Sequence, residues 1–126
     1  MKEYVVEIDQ SLQDELFQDF LLGPIVDIDE SGNDDKRMLM EVYVAHVKAA
    51  KVEVFSREHP PPHFRVLYQG SSANYEISDC TRMNGSGQVL RFEKNIKKWW
   101  KKNKEKLIEI WNERRPSDCP VGEYRE

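Results

Sequence analysis

The stretch Lys51-Val-Glu-Val-Phe-Ser-Arg-Glu-His-Pro-Pro-Pro-His-Phe-Arg-Val-Leu-Tyr-Gln-Gly-Ser-Ser-Ala-Asn-Tyr-Glu-Ile-Ser78 decides the fold. Residues 51–56 and 63–68 alternate apolar and polar side chains, the two-residue period of a half-buried strand, and 73–78 are rich enough in apolar and aromatic residues to follow them. Pro60, Pro61 and Pro62 lack amide donors and restrict the residue before them, so they cannot extend a central strand and form a stiff connector. Gln69-Gly-Ser-Ser72 is a turn by composition. Three strands joined this way make an antiparallel meander.

Downstream, Asn84-Gly-Ser-Gly87 breaks the pattern before a helix from about 90 to 114. Its Phe92, Ile96, Trp99, Trp100, Leu107, Ile110 and Trp111 fall in one stripe, which predicts that it covers the sheet, and Pro116 ends it. Residues 117–126 read as an irregular tail. Upstream, residues 3–8 favour a strand, and Ser11 with Asp14 resembles a capping box for a helix bearing Leu12, Leu16, Phe17, Phe20 and Leu21, with Gly23-Pro24 as its stop. A brief strand at 25–29, a turn at 30–35 and a strand at about 37–47 complete the N-terminal part. The expected class is α+β: a small antiparallel sheet packed against a long C-terminal helix, with an N-terminal strand-helix-hairpin extension. By segment, an acidic extension over 1–43 packs on a core domain over 44–116.

The chain has 126 residues, 39% hydrophobic and 33% charged, which suits one domain and excludes a membrane protein by composition. Met1 to Glu7 contains no basic start leading into an apolar run, so a cytoplasmic address is expected. Cys80 and Cys119 in an untargeted chain are expected as free thiols. The net charge of −4 conceals −8 over residues 1–50, 0 over 51–90, +6 over 91–115 and −2 over 116–126. Acidic front and basic helix can attract each other within the molecule, or the helix lysines Lys94, Lys97, Lys98 and Lys101 can follow the phosphates of a nucleic acid. Trp99, Trp100 and Trp111 could stack on bases, but their alignment with Ile96, Leu107 and Ile110 favours the core. Asn103 shares that stripe and is expected to bond to the sheet.

His59 and His63 frame the prolines, which hold the backbone between them in defined torsions. His63 and Arg65 lie two apart on a strand and share a face, with Phe64, Val66 and Tyr68 on the other. An imidazole exchanges protons near neutral pH, and a guanidinium matches phosphate oxygens. The three therefore suit metal-independent acid/base chemistry on RNA or a nucleotide, with Arg65 steadying the charged transition state. They also suit a structural role, which residues of this kind fill more often: His59 capping a turn, His63 bonding at the strand start, Arg65 paired with Glu58 or Glu76. His59, His63, Cys80 and Cys119 lack a zinc-site spacing, so neither a metal nor another cofactor is expected. His46 reads as an ordinary strand residue, and Asp79, Arg82 and Asn84 are candidates to line a cleft before the helix.

The run Val52 to Val66, centred on Glu58-His-Pro-Pro-Pro-His63 and followed by the helix from Trp99 through Trp111-Asn112, resembles the bacterial family known as domain of unknown function 4160, over about residues 44–116. The resemblance implies a small α+β protein, often encoded beside another small protein, with some members regarded as toxins of toxin-antitoxin pairs. It thus implies a small antitoxin-like partner protein. The family usually continues with His-x-His-Val, and Arg65 stands at the second histidine position here. Residues 1–43 lie outside the pattern. A non-catalytic module that pairs with a partner through a sheet edge or the acidic front is the alternative function.

Overall fold

The computed structural model describes residues 3–27, 36–37, 50–57, 61–119 and 121–124. The expected turn at 30–35, most of the strand at 37–47, His46, Glu58 and His59 lie outside them. The elements in chain order are β1 (Tyr4–Glu7), α1 (Gln10–Leu21), β2 (Ile25–Asp27), β3 (Lys36–Arg37), β4 (Lys51–Ser56), β5 (His63–Tyr68), β6 (Ser71–Glu76), β7 (Arg82–Ser86), a 3-10 segment (Gln88–Phe92) and α2 (Glu93–Arg114). β1, β4, β5, β6 and β7 form one sheet in that order, every pair antiparallel, and β2 pairs with β3 as a separate ribbon. This is the expected α+β architecture with its strand-helix extension.

The β5–β6 hairpin closes through Gln69 (φ 49°) and Gly70 (φ 74°). Positive φ at both central positions is the type I′ geometry that matches strand twist. β6 therefore begins at Ser71, two residues before the composition suggested, with the Ser71 hydroxyl donating to Tyr68 O at 2.6 Å. It ends at Glu76, where the Cys80 amide folds back onto Glu76 O at 2.9 Å.

β7 corrects the sequence reading. Arg-Met-Asn-Gly-Ser has little strand propensity, and Asn84-Gly-Ser-Gly87 was expected to break the pattern, yet residues 82–86 pair with β6 from Ser72↔Ser86 to Tyr75↔Arg82. Pairing with an already formed neighbour overrides local preference. Gly85 is a close-approach position: a Cβ there would stand 2.9 Å from Ala73 Cβ and 3.0 Å from Leu90 Cδ2. The register shifts between Asn74 and Tyr75, so Arg82 and Met83 together oppose Tyr75. Such a bulge re-aims side chains. Arg82 meets Glu93 on α2 at 3.5 Å, and Met83 is 46% exposed.

The expected capping box at Ser11 is absent. α1 has its N-cap two residues earlier, at Asp9, and the Asp9 carboxylate makes no cap bond, pairing instead with Arg114 at 2.6 Å. The helix stops at Leu21, and Gly23 takes φ 103° immediately after it.

Both helices cover one face of the sheet. Phe64, Val66, Tyr68, Ala73 and Tyr75 point into them and are buried. Phe20 of α1 stacks on Phe92 at 4.1 Å and meets Tyr68 edge-on at 5.1 Å, while Trp99 of α2 lies 6.0 Å from Phe64. One apolar core thus runs from β1 and α1 through the sheet to α2. The buried Gln13 fastens α1 to both neighbours, accepting from Val52 N and donating to Ile8 O, each at 2.9 Å. Opposite charges also meet within the chain: Lys102 pairs with Glu15 at 2.8 Å and Arg114 with Asp9. After α2, residues 121–124 return along its last turn. Val121 is buried, and the Asn112 carboxamide accepts from Tyr124 N at 2.7 Å and donates to Tyr124 O at 3.3 Å.

Candidate functional site

Alternation along β5 places His63 and Arg65 on the sheet face turned away from both helices. Register builds a polar row there with one residue from each strand: Glu7, Glu53, Arg65, Asn74 and Asn84. Arg65 is its centre. Its Nη2 donates to Glu3 Oε2 at 2.7 Å and its Nε to Asn74 Oδ1 at 3.1 Å. Its Nη1 stands 3.8 Å from Glu53 Oε1, and its guanidinium lies 4.4 Å over the Phe55 ring. Asn74 passes the network on by donating to Asn84 Oδ1. The guanidinium sites that would grip a phosphate are thus engaged by two carboxylates and a carboxamide. Glu76, one of the two partners weighed from the sequence, supplies none of these contacts, and Glu58, the other, lies outside the described residues. Glu76 instead stands opposite His63 on β6.

Glu3 belongs to the same network, with Arg57 3.5 Å from its other oxygen. The hydrogen bond from Arg65 holds the Glu3 carboxyl below its ordinary pKa, against the opposing pull of partial burial. A depressed carboxylate contributes stability above its unfolded pKa and loses it as pH falls through the folded value. Glu3→Gln is therefore expected to destabilise the protein at pH 7, with the gap to wild type narrowing on acidification through and below the carboxylate range. Urea midpoints at pH 7 and pH 3 check this; a gap that stays constant refutes it.

His63 is half-buried, with its ring 5.5 Å from Phe55. Its Nδ1 is buried with no hydrogen-bond partner among the described residues. Burial, and then the Arg57 charge, push its pKa below 6.5, so the ring is neutral at pH 7. The buried Nδ1 is closed to a substrate. The convergence of His59 with His63 and Arg65 falls outside the described residues.

Lys94, Lys97, Lys98 and Lys101 follow i, i+3, i+4, i+7 spacing on the outer side of α2, and all four are exposed. Lys94 Nζ donates to Val26 O at 2.6 Å. Because α2 turns its buried stripe to the sheet, this ridge and the His63–Arg65 face lie on opposite sides of the two layers. Among the described residues, His63 and Arg65 are not brought together with these four lysines.

The tryptophans serve the scaffold. Trp99 and Trp111 are buried and Trp100 partly so, their indole N–H groups donating to Leu12 O, Gly122 O and Ile77 O. Asn103 bonds to Trp99 O at 3.0 Å in its own helix, not to the sheet as expected, because its short side chain meets the carbonyl one turn back first. Cys80 and Cys119 are free thiols; Cys80 is buried, and burial pushes its pKa up to about 12. Asp79 accepts from Thr81 N at 3.0 Å, Arg82 pairs with Glu93 and Asn84 belongs to the polar row, so these three engage different partners. No group of three metal-capable side chains occurs among the described residues. Two clefts, of about 330 Å3 beside Asn112, Arg115 and Cys119 and about 280 Å3 between Asp9 and Lys106, lie away from His63 and Arg65. No described helix is long and apolar enough to cross a membrane.

Sequence reasoning missed Glu3 and the β7 edge. Strand parity was the available signal for the first, since it fixes which face Arg65 occupies although not which remote carboxylate joins it.

A five-stranded antiparallel sheet with two helices on one face and a polar row across the other defines a two-layer α+β domain. Residues 51–112, the stretch from β4 into the last turns of α2, match the family described as Domain of unknown function (DUF4160). The match is shorter at both ends than the resemblance over 44–116 and omits β1 and α1, which share the same core. No curated protein and no solved structure matches the chain significantly.

Proposed function

We propose that this chain is the toxin-like component of a bacterial toxin-antitoxin-type pair, acting in the cytoplasm by binding a small antitoxin-like protein without turnover. The observation that carries the reading is the outer edge of β7. All five of its residues are exposed, and among the described residues no strand pairs with that side. An unpaired edge offers main-chain donors and acceptors to an extended segment of another protein. The engagement of Arg65 by Glu3, Glu53 and Asn74 supports binding over catalysis, and the family resemblance supports the two-protein setting.

A second reading is metal-independent acid/base chemistry on RNA or a nucleotide at His59, His63 and Arg65, aided by the lysine ridge. The neutral imidazole of His63 favours it. Co-expression with the neighbouring gene product separates the two. Under the binding reading the partner co-purifies with wild type and with His63→Ala, is lost with Met83→Pro, and RNA is not cleaved. Retention by Met83→Pro together with RNA cleavage that disappears in His63→Ala would overturn it.

A further inference from the structure

The Tyr75 side chain carries an unsatisfied polar group into the core. The residue is 0% exposed, its ring stacks on Phe64 at 5.3 Å, and its hydroxyl has no hydrogen-bond partner among the described residues. A buried hydroxyl in this state costs more than an average hydrogen bond gains. Burial, and then the charge of the Glu93 carboxylate nearby, push the phenol pKa up, so the group stays a donor at neutral pH. Glu93 lies in the first turn of α2, and its Oε1 meets Arg82 Nε at 3.5 Å. Arg82 stands opposite Tyr75 where the β6–β7 register shifts. The two side chains of that ion pair are 43% and 29% exposed, and a pair so open to water contributes little. One carboxylate is thus shared between a weak surface pair and a buried donor that lacks an acceptor.

We propose that Glu93 is a two-position switch joining the β7 edge to the core: a partner segment that brings a carboxylate to Arg82 releases Glu93, which then accepts a hydrogen bond from the Tyr75 hydroxyl. The inference rests on the partner-binding reading for its trigger and gives the partner a chemistry, an acidic extended segment. A hydrogen bond to an ionised acceptor is roughly twice as strong as a neutral one. Tyr75 therefore adds to the affinity for a partner that it never touches, through a coupling between two distinct places in the domain.

Two measurements on the full chain test this. The first needs no partner, because Arg82→Ala frees Glu93 as an engaged Arg82 would. In the wild-type background Tyr75→Phe keeps the ring and removes an unsatisfied group, and it is expected to lower the unfolding equilibrium constant about fivefold. In the Arg82→Ala background it removes a bonded group and is expected to raise that constant about fivefold, and adding Glu93→Ala restores the first sign. One sign in all three backgrounds would overturn the proposal. The second measurement titrates the neighbouring gene product, which Tyr75→Phe is expected to bind about tenfold more weakly than wild type although it is the more stable protein. Equal affinities would remove the switch and leave the partner reading standing. A sign change in the stability series with no co-purifying partner would uphold the exchange at Glu93 and overturn only the functional reading.

Discussion

Trp111→Ala is expected to lower the free energy of unfolding by about 3–5 kcal/mol, the usual cost of truncating a large buried aromatic. Trp111 is 0% exposed and is the largest fully buried side chain. The loss has two sources. Removing the indole leaves a cavity in close-packed surroundings, and it deprives Gly122 O of the N–H that approaches to 3.3 Å. That bond helps hold the returning segment 121–124, whose Val121 is buried in the same core. Against a typical total of about 5–15 kcal/mol, the variant should be unfolded in a substantial fraction at 37 °C. Urea denaturation should show a lower midpoint with an unchanged slope. A loss under about 1 kcal/mol would mean that the end of α2 is not part of the cooperative core. Trp111→Phe, which keeps a ring and loses the donor, should fall between the two.

Asn95→Ala should cost about 2–3 kcal/mol through a different mechanism. Asn95 is fully buried, and its Oδ1 accepts from Ile25 N at 2.8 Å while its Nδ2 donates to Asp19 Oδ2 at 2.9 Å and to Gly23 O at 3.2 Å. One carboxamide thereby fastens the end of α1 and the start of β2 to α2. Truncation takes the acceptor away from a buried amide, and leaving such a group unsatisfied costs more than an average hydrogen bond gains. The damage should be local as well as global. Hydrogen exchange at the Ile25 amide should accelerate more than exchange at Val66 in the sheet centre, and equal acceleration of both would refute the assignment.

Strands that carry their own periodicity were legible before any coordinates. The alternation His63 to Tyr68 determines β5, its two faces and the helix-facing role of Phe64, and the stripe from Ile96 to Trp111 determines which side of α2 is buried. β7 was not legible, because Asn84-Gly85-Ser86 has the composition of a turn and becomes a strand only by pairing with β6. The start of α1 was misread for a related reason. Asp9 and Ser11 both suit an N-cap by residue type, and the Asp9 carboxylate makes no cap bond but pairs with Arg114, far away in sequence. The candidate site divides the same way. Parity along β5 puts His63 and Arg65 on one face, whereas the engagement of Arg65 depends on Glu3 and Glu53, which only the β1–β4–β5 register brings near. Local pattern specifies orientation; the identity of a contact comes from the long-range register.

The pairing of Tyr4 with Ser56 has a consequence for how the protein is made. β1 and α1 leave the ribosome before the strand that β1 joins and before the rings that cover Phe17 and Phe20, namely Tyr68 and Phe92. Until then the apolar side of α1 lacks the described surface that it buries against. Nascent chains stalled before β4 should accordingly be the ones captured by chaperones and cut by proteases, and release of α2 should end that vulnerable interval.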